Sequence, residues 1–337
     1  MDSLTHIAIG SCIGVLYFEK GFGKKAMFWG ALSQSIPDID FIAATWLSTP
    51  EALLAHRAFT HSLFFLIIAA VFFSLLAEKI HRPHNITFLK WFSFFIIELS
   101  THLFLDLFNN YGVGLFEPFS HLRFSFNALY VVDPFFSLFP ISISIVLLWI
   151  HHFHPKRYLL ARISLLIPAF YLLLTVTNKI IVQYQIQKIF QIENIPNKYY
   201  FSTPAPLQNF LWYVVAGNDS GYFIGYYSVF NSKNKIDFTF FPKRIDLIEK
   251  IHDHENLQRL IRFSQGYFTL QTLNNKIVFN DLRFGQAAGW QNPKADFVFH
   301  YYLNHPTNNK LIIQQGRVSN LNFGSLSLLF KKAINLH

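Results

Sequence analysis

The chain has 337 residues, of which 52% are apolar, only 14% are charged and 40 are phenylalanine, with a net charge of +9. An ordinary soluble domain carries about 25% charged residues, so this composition excludes a disordered chain and points to membrane segments. The single cysteine, Cys12, excludes a disulfide scaffold and a cysteine-cluster zinc site; any metal must be held by histidines and carboxylates.

The first two apolar runs, residues 4–18 and 26–36, are short for a membrane, and short, tilted or re-entrant helices are expected there. The start lacks a basic segment and carries Asp2 and His6, so it reads as a retained helix rather than a signal peptide. Gly10 and Gly14 form a G-x-x-x-G pair that permits close helix packing. Four longer runs follow, at residues 60–77, 88–108, 134–150 and 159–177, each near the roughly 20 residues that cross about 30 Å of hydrocarbon.

Beyond residue 180 the texture changes. Residues 222–230, 236–241, 267–272, 277–279 and 297–303 are short, aromatic and β-branched, and read as strands. Residues 244–262 show helical periodicity. The expected fold is therefore mainly α: a polytopic helical membrane domain of about six short-to-normal helices over residues 1–178, then a smaller soluble α+β domain over 179–337.

Charge suggests a topology. The basic loops at residues 20–25, 79–90 and 156–162 fall on one side if all six runs cross, and positive loops stay cytoplasmic. The N-terminus, residues 37–60 and 109–133, and the C-terminal domain then lie outside. Residues 1–178 hold 11 basic and 10 acidic side chains, whereas residues 179–337 hold 17 and 9. That excess suits membrane lipid headgroups or a plain basic domain; no helix-turn-helix spacing, zinc finger or RNA-binding motif favours nucleic acid.

His6, Asp38, Asp40, His56, Arg57, His61, His102, Asp106 and Asp133 all fall at the outer ends of these runs. Ionisable groups inside membrane helices are costly and mark function. Glu98, His102 and Asp106 are spaced i, i+4, i+8 on one helical face, and a histidine and a carboxylate four apart can share a metal ion. The plainer alternative is a self-satisfied polar network. Glu98, a turn deeper, is expected to orient His102 or to be a buried protonated carboxyl. Asp38 and Asp40 can share cations or simply cap a turn. Arg57 suits either a substrate anion or an ion pair with one of the aspartates. Thr60 is placed to cap the third of the six helices, which starts with the run at residues 60–77. His81, His84, His151, His152 and His154 read as interfacial, and His252 and His254 as solvated. No nucleophile elbow, Walker loop or dinucleotide fingerprint is present.

The motifs Asp2-Ser3-Leu4-Thr5-His6, Pro37-Asp38-Ile39-Asp40, His56-Arg57-Ala58-Phe59-Thr60-His61-Ser62 and His102-Leu103-Phe104-Leu105-Asp106 occur in this order, followed by Tyr111-Gly112 and Pro118-Phe119-Ser120. Over about residues 1–135 this set resembles the bacterial membrane-bound, metal-dependent hydrolase family of YdjM/YbcI-like proteins described as LexA-regulated or LexA-binding. Pro204-Ala205-Pro206, Asn209, Trp212 and the 222–228 strand resemble the C-terminal extension of longer members. One departure is Ala58, where the family has glycine. A fainter similarity is to zinc-dependent phospholipase C enzymes. The resemblance implies an inner-membrane hydrolase in which His6, Asp38, Asp40, His61, His102 and Asp106 hold one to three divalent ions, Zn2+ or Mn2+. Asp133 or Asp38 would act as general base, and His56 and Arg57 would bind the substrate anion. A site at headgroup depth suits a phosphoester of a lipid or lipid-linked molecule. Two rivals are expected to differ in kind: a transporter or ion- and proton-binding protein, and a scaffold stapled by a coordinatively closed metal.

Overall fold

The computed structural model describes residues 1–18, 22–231, 235–304 and 323–334. Lys20, in the first basic loop, lies outside them. The chain divides into two compact units, one formed by Met1–Trp46 with Ala55–Thr175 and the other by Leu47–Leu54 with Val176–His337.

The first unit is helical. Helix α1 (Ser3–Tyr17) begins where Asp2 accepts a hydrogen bond from the Thr5 N–H, a side-chain cap for an otherwise unpaired donor. It packs against α2 (Lys24–Ser35) with backbones in contact. A Cβ on Gly10 would stand 2.3 Å from the Gly30 carbonyl oxygen, and one on Gly14 would stand 2.1 Å from that of Ala26. The G-x-x-x-G pair is therefore a seam that admits no side chain. A 3-10 segment, Pro37–Thr45, follows α2; the short helix α3 (Thr49–Ala55), next in the chain, falls almost wholly in the second unit.

Helices α4 (Leu63–Ile80) and α5 (Phe88–Asp106) have 18 and 19 residues. After α6 (Pro134–Trp149) comes α7 (Arg157–Ile192), with 36 residues. Among the described residues, α4, α5 and α7 are long and apolar enough to cross a membrane. The other expected spans are shorter: 15 residues in α1, 12 in α2 and 16 in α6. At about 1.5 Å per residue each falls short of ~30 Å. Ser62, not Thr60, caps α4, accepting from the Phe65 N–H at 3.0 Å.

Part of the phenylalanine fills this unit, while many other rings, Phe72, Phe104 and Phe170 among them, are exposed along the helices. Phe18, Phe22, Trp29, Trp91, Phe94 and Phe95 form one buried cluster where the end of α1 meets the start of α5. The polar cluster occupies the opposite ends of the same two helices, so an aromatic plug closes one end of the bundle and the ionisable groups gather at the other.

The second unit carries two antiparallel sheets. One has the order β1 (Tyr199–Pro204), β2 (Leu211–Gly217), β3 (Gly221–Ser228), β4 (Thr239–Pro242); the other is β5 (Phe268–Leu273), β6 (Lys276–Gln286), β7 (Phe297–Tyr302). The expected 244–262 helix is two pieces: a 3-10 turn, Ile245–Lys250, and α8 (His254–Phe263). Asp253 divides them because its side chain accepts from the Asn256 N–H at 3.1 Å and starts α8 afresh. A last helix, α9 (Phe323–Ala333), was not anticipated.

Candidate metal centre

The site gathers from four stretches of the first unit. The last turn of α5 supplies His102 and Asp106, stacked one above the other by their i, i+4 spacing. The 3-10 segment supplies Asp38 and Asp40, α1 supplies His6, and the turn before α4 supplies His56, Arg57 and His61. That turn is held by Arg57 at φ +58°, a left-handed conformation unusual for a side chain with a Cβ. Ala58 has φ −96°, so alanine meets no left-handed requirement at the position where glycine was expected.

Asp38, His61, His102 and Asp106 each turn one donor atom inward, and the four atoms lie within 4.8 Å of one another. His61 Nε2 stands 3.2 Å from His102 Nε2, 3.6 Å from Asp38 Oδ1 and 3.4 Å from Asp106 Oδ2. His102 Nε2 stands 3.6 Å from Asp38 Oδ1 and 3.7 Å from Asp106 Oδ2. Tetrahedral zinc with ligands at about 2.0–2.1 Å separates them by roughly 3.3–3.4 Å, so these five spacings are close to, and in part slightly wider than, the edges of a tetrahedron around one ion. Asp106 Oδ2 is buried without a hydrogen-bond partner. Two imidazoles and two carboxylates suit zinc, and the donor set fits the ion that the resemblance implies.

The surroundings orient this quartet. Asp40 stands 3.4 Å from His61 Nδ1 and accepts from the Arg57 main-chain N–H at 2.7 Å and from the Thr60 hydroxyl at 3.2 Å. It also pairs with His56 Nδ1 at 3.0 Å. Asp106 Oδ1 is paired with the amino group of Met1 and stands 3.2 Å from His6 Nε2. The His6 and His102 rings stack at 3.9 Å between centroids. Arg57 Nε lies 2.9 Å from Asp106 Oδ2, near enough for ion pairing though poorly aligned for a hydrogen bond.

Electrostatics follow from crowding carboxylates around imidazoles. Burial would raise the Asp38 and Asp40 carboxyls, but hydrogen bonds and positive charge from His61, His102 and His56 overrule it and hold both below the usual range. Burial would lower His61; hydrogen bonds that its ring donates to Asp106, Asp38 and Asp40 instead raise it to about 10. A proton on His61 and a divalent cation therefore compete for the same place.

The predicted residues sort as follows. Asp38, His61, His102 and Asp106 form the quartet. His6 and Asp40 touch it through Asp106 and His61. His56 sits beside Asp40 at the rim, a third of its side chain exposed. Arg57 is corrected: its guanidinium is 3% exposed and committed to Asp106 and Asn109, with an NH1–Oδ1 distance of 2.6 Å, so it is not free for a substrate anion. Asp133 caps α6 at the Phe135 N–H and accepts from the Tyr171 hydroxyl at 2.9 Å, so its two oxygens are engaged with α6 and α7 rather than with the quartet. Glu98 does not orient His102; its partner is Gln34. Gln34 and Asn109 were missed: an amide within the second apolar run and an amide three residues past Asp106 are visible in the sequence, but their complete burial is a property of the fold.

Residues 1–182 match the family model described as YdjM inner membrane protein. The chain is 28% identical over 123 residues to the inner membrane protein YbcI of Escherichia coli (strain K12), covering 36% of this chain and 69% of that protein. It is 26% identical over 159 residues to the uncharacterized protein YfhP of Bacillus subtilis (strain 168), covering 44% of this chain and 46% of that one. No solved structure matches, and no match shows the similarity to zinc-dependent phospholipase C.

Proposed function

The chain belongs to the YdjM inner membrane protein family, and from that premise we propose that it is a membrane-embedded, metal-dependent hydrolase. The observation that carries the proposal is the quartet of Asp38, His61, His102 and Asp106, whose inward atoms have the spacing of ligands around one ion. A bound divalent ion supplies Lewis acidity, lowering the pKa of a water towards 7 and withdrawing charge from an ester oxygen.

The protein's own groups divide the remaining work. Asp38 and His56 are the members that reach the surface, with 16% and 33% of their side chains exposed, so the substrate meets the site there. Asp40 holds His56 by Nδ1, which leaves Nε2 to take up or return a proton. Arg57 supports Asp106 and fixes its direction. If α1, α2 and α6 cross as well, in a bilayer thinned around them, the basic loops share one side and the site and the C-terminal unit take the outer face of the membrane. At that depth the substrate is a phosphoester of a lipid or lipid-linked molecule.

Glu98 favours a second reading, ion or proton transport, because it is a fully buried carboxylate a turn deeper in α5 and its Oε1 has no hydrogen-bond partner. Purified protein tests the two. Hydrolysis predicts release of phosphate or headgroup from phospholipid and lipid-linked phosphoesters, abolished by a chelator and lowered ~100-fold or more by His56→Ala. No turnover of any phosphoester, with metal or proton flux into proteoliposomes instead, would sink the hydrolase.

A further inference from the structure

We infer that Gln34 is the positioning residue of this centre: one residue, through two acceptors, sets the tautomers of His6 and His102 so that both Nε2 atoms face Asp106. The inference rests on the metal reading above but concerns a residue that no motif identified.

The argument starts from the end of α2. The last four carbonyls of a helix have no partner within it. Gln34 is the penultimate residue of α2, and its carbonyl is taken by His102, with Nδ1 at 2.8 Å. A carbonyl only accepts, so Nδ1 carries the proton. A neutral His102 then keeps its Nε2 lone pair for the quartet.

The side chain acts on the other ring. Gln34 Nε2 lies 2.8 Å from the Glu98 main-chain oxygen and 3.0 Å from Glu98 Oε2. Because the main-chain oxygen cannot donate, the amide nitrogen must lie on that side, and the direction of the amide is fixed. Its oxygen then faces His6 Nδ1 at 3.2 Å and can only accept. His6 carries its proton on Nδ1, and its Nε2 is turned to Asp106 Oδ1, 3.2 Å away. The two rings, stacked at 3.9 Å, are thus set in parallel. The buried Glu98 acquires a role as the anchor of the amide. The Gly10–Gly30 seam brings Gln34 within reach of α1.

Two measurements on the full-length protein test this. Histidine-selective 15N NMR of the metal-free protein in nanodiscs, assigned with His6→Ala and His102→Ala, reads the tautomers without reference to metal. Wild type should show Nδ1–H at both. Gln34→Met, which keeps shape and removes the amide, should lose that preference at His6 and keep it at His102, whose partner is main chain. Zinc affinity is the second readout. Gln34→Met should weaken it ~10–100-fold, as loss of an outer partner of a ligand does. Glu98→Gln, which still accepts from Gln34, should stay within about twofold, and Gln34→Met in a His6→Ala background should add no more than about twofold. An unprotonated Nδ1 on either ring in wild type overturns the inference, as does full multiplication of the two substitutions; a proton shared between His6 Nε2 and the Asp106 carboxylate, 3.2 Å away, does not bear on it. Absence of zinc binding in wild type with the expected tautomers would instead defeat the metal reading and leave the positioning intact.

Discussion

Asp106 shows how much the site depends on single atoms. One oxygen meets His6 and the Met1 amino group; the other faces the quartet and Arg57. Breaking a buried ion pair leaves an uncompensated charge, at a cost of about 3–5 kcal/mol. Arg57→Ala should therefore lower thermal stability in detergent by that order, and Arg57→Lys by less. An unchanged melting temperature in Arg57→Ala would show that the guanidinium is dispensable. Asp133 gives a prediction in pH. Burial pushes its carboxyl up to about 6 against the hydrogen bond from Tyr171. Between about pH 4 and pH 6 the native state keeps a proton that the unfolded chain, with an ordinary carboxyl near 3.9, has released, so stability falls as pH rises through that window. Asp133→Asn should match wild type near pH 4 and exceed it at pH 7 by up to ~3 kcal/mol in equilibrium unfolding. Equal pH profiles for the two proteins would contradict this.

At the scale of elements, packing of α1 on α2 delivers His6 to Gln34 and thence to α5. Gly10→Leu would force a side chain into a carbonyl 2.3 Å from the glycine's Cβ position. It should lower the melting temperature and loosen metal together, whereas Ser62→Ala at the α4 cap should cost only about 1 kcal/mol and leave metal content alone. Metal retention in Gly10→Leu would separate the seam from the site. These dependencies also explain what was legible in the sequence. Apolar runs announced the helices, and i, i+4 spacing announced His102 with Asp106, because both follow from helical periodicity alone. The destination of Arg57 was not legible, since an arginine beside three aspartates has several partners until the backbone turns. Strands β1 and β2 went unread because Pro204, Pro206 and Asn209 at and between them carry turn chemistry, and the break at Asp253 is marked only by the polar run His252-Asp253-His254-Glu255-Asn256 between two apolar stretches of helical period.

Across the whole molecule, a helical unit whose polar groups concentrate at one end is joined in sequence to a β-sheet unit with most of the positive charge. Length limits what the helices can do: among the described residues three are long enough to cross, while α1, α2 and α6 fall short of the full hydrocarbon thickness at any tilt. Short helices that bring ionisable groups to one depth serve surface chemistry better than a path through the membrane. The account stands or falls on whether that depth holds a metal. Mass-spectrometric metal analysis of detergent-purified wild type, His102→Ala and Asp106→Ala decides it. About one or more zinc or manganese ions per chain in wild type, lost in both variants, is the predicted result. A wild type that remains metal-free at neutral pH after reloading would contradict it and leave a self-satisfied polar network.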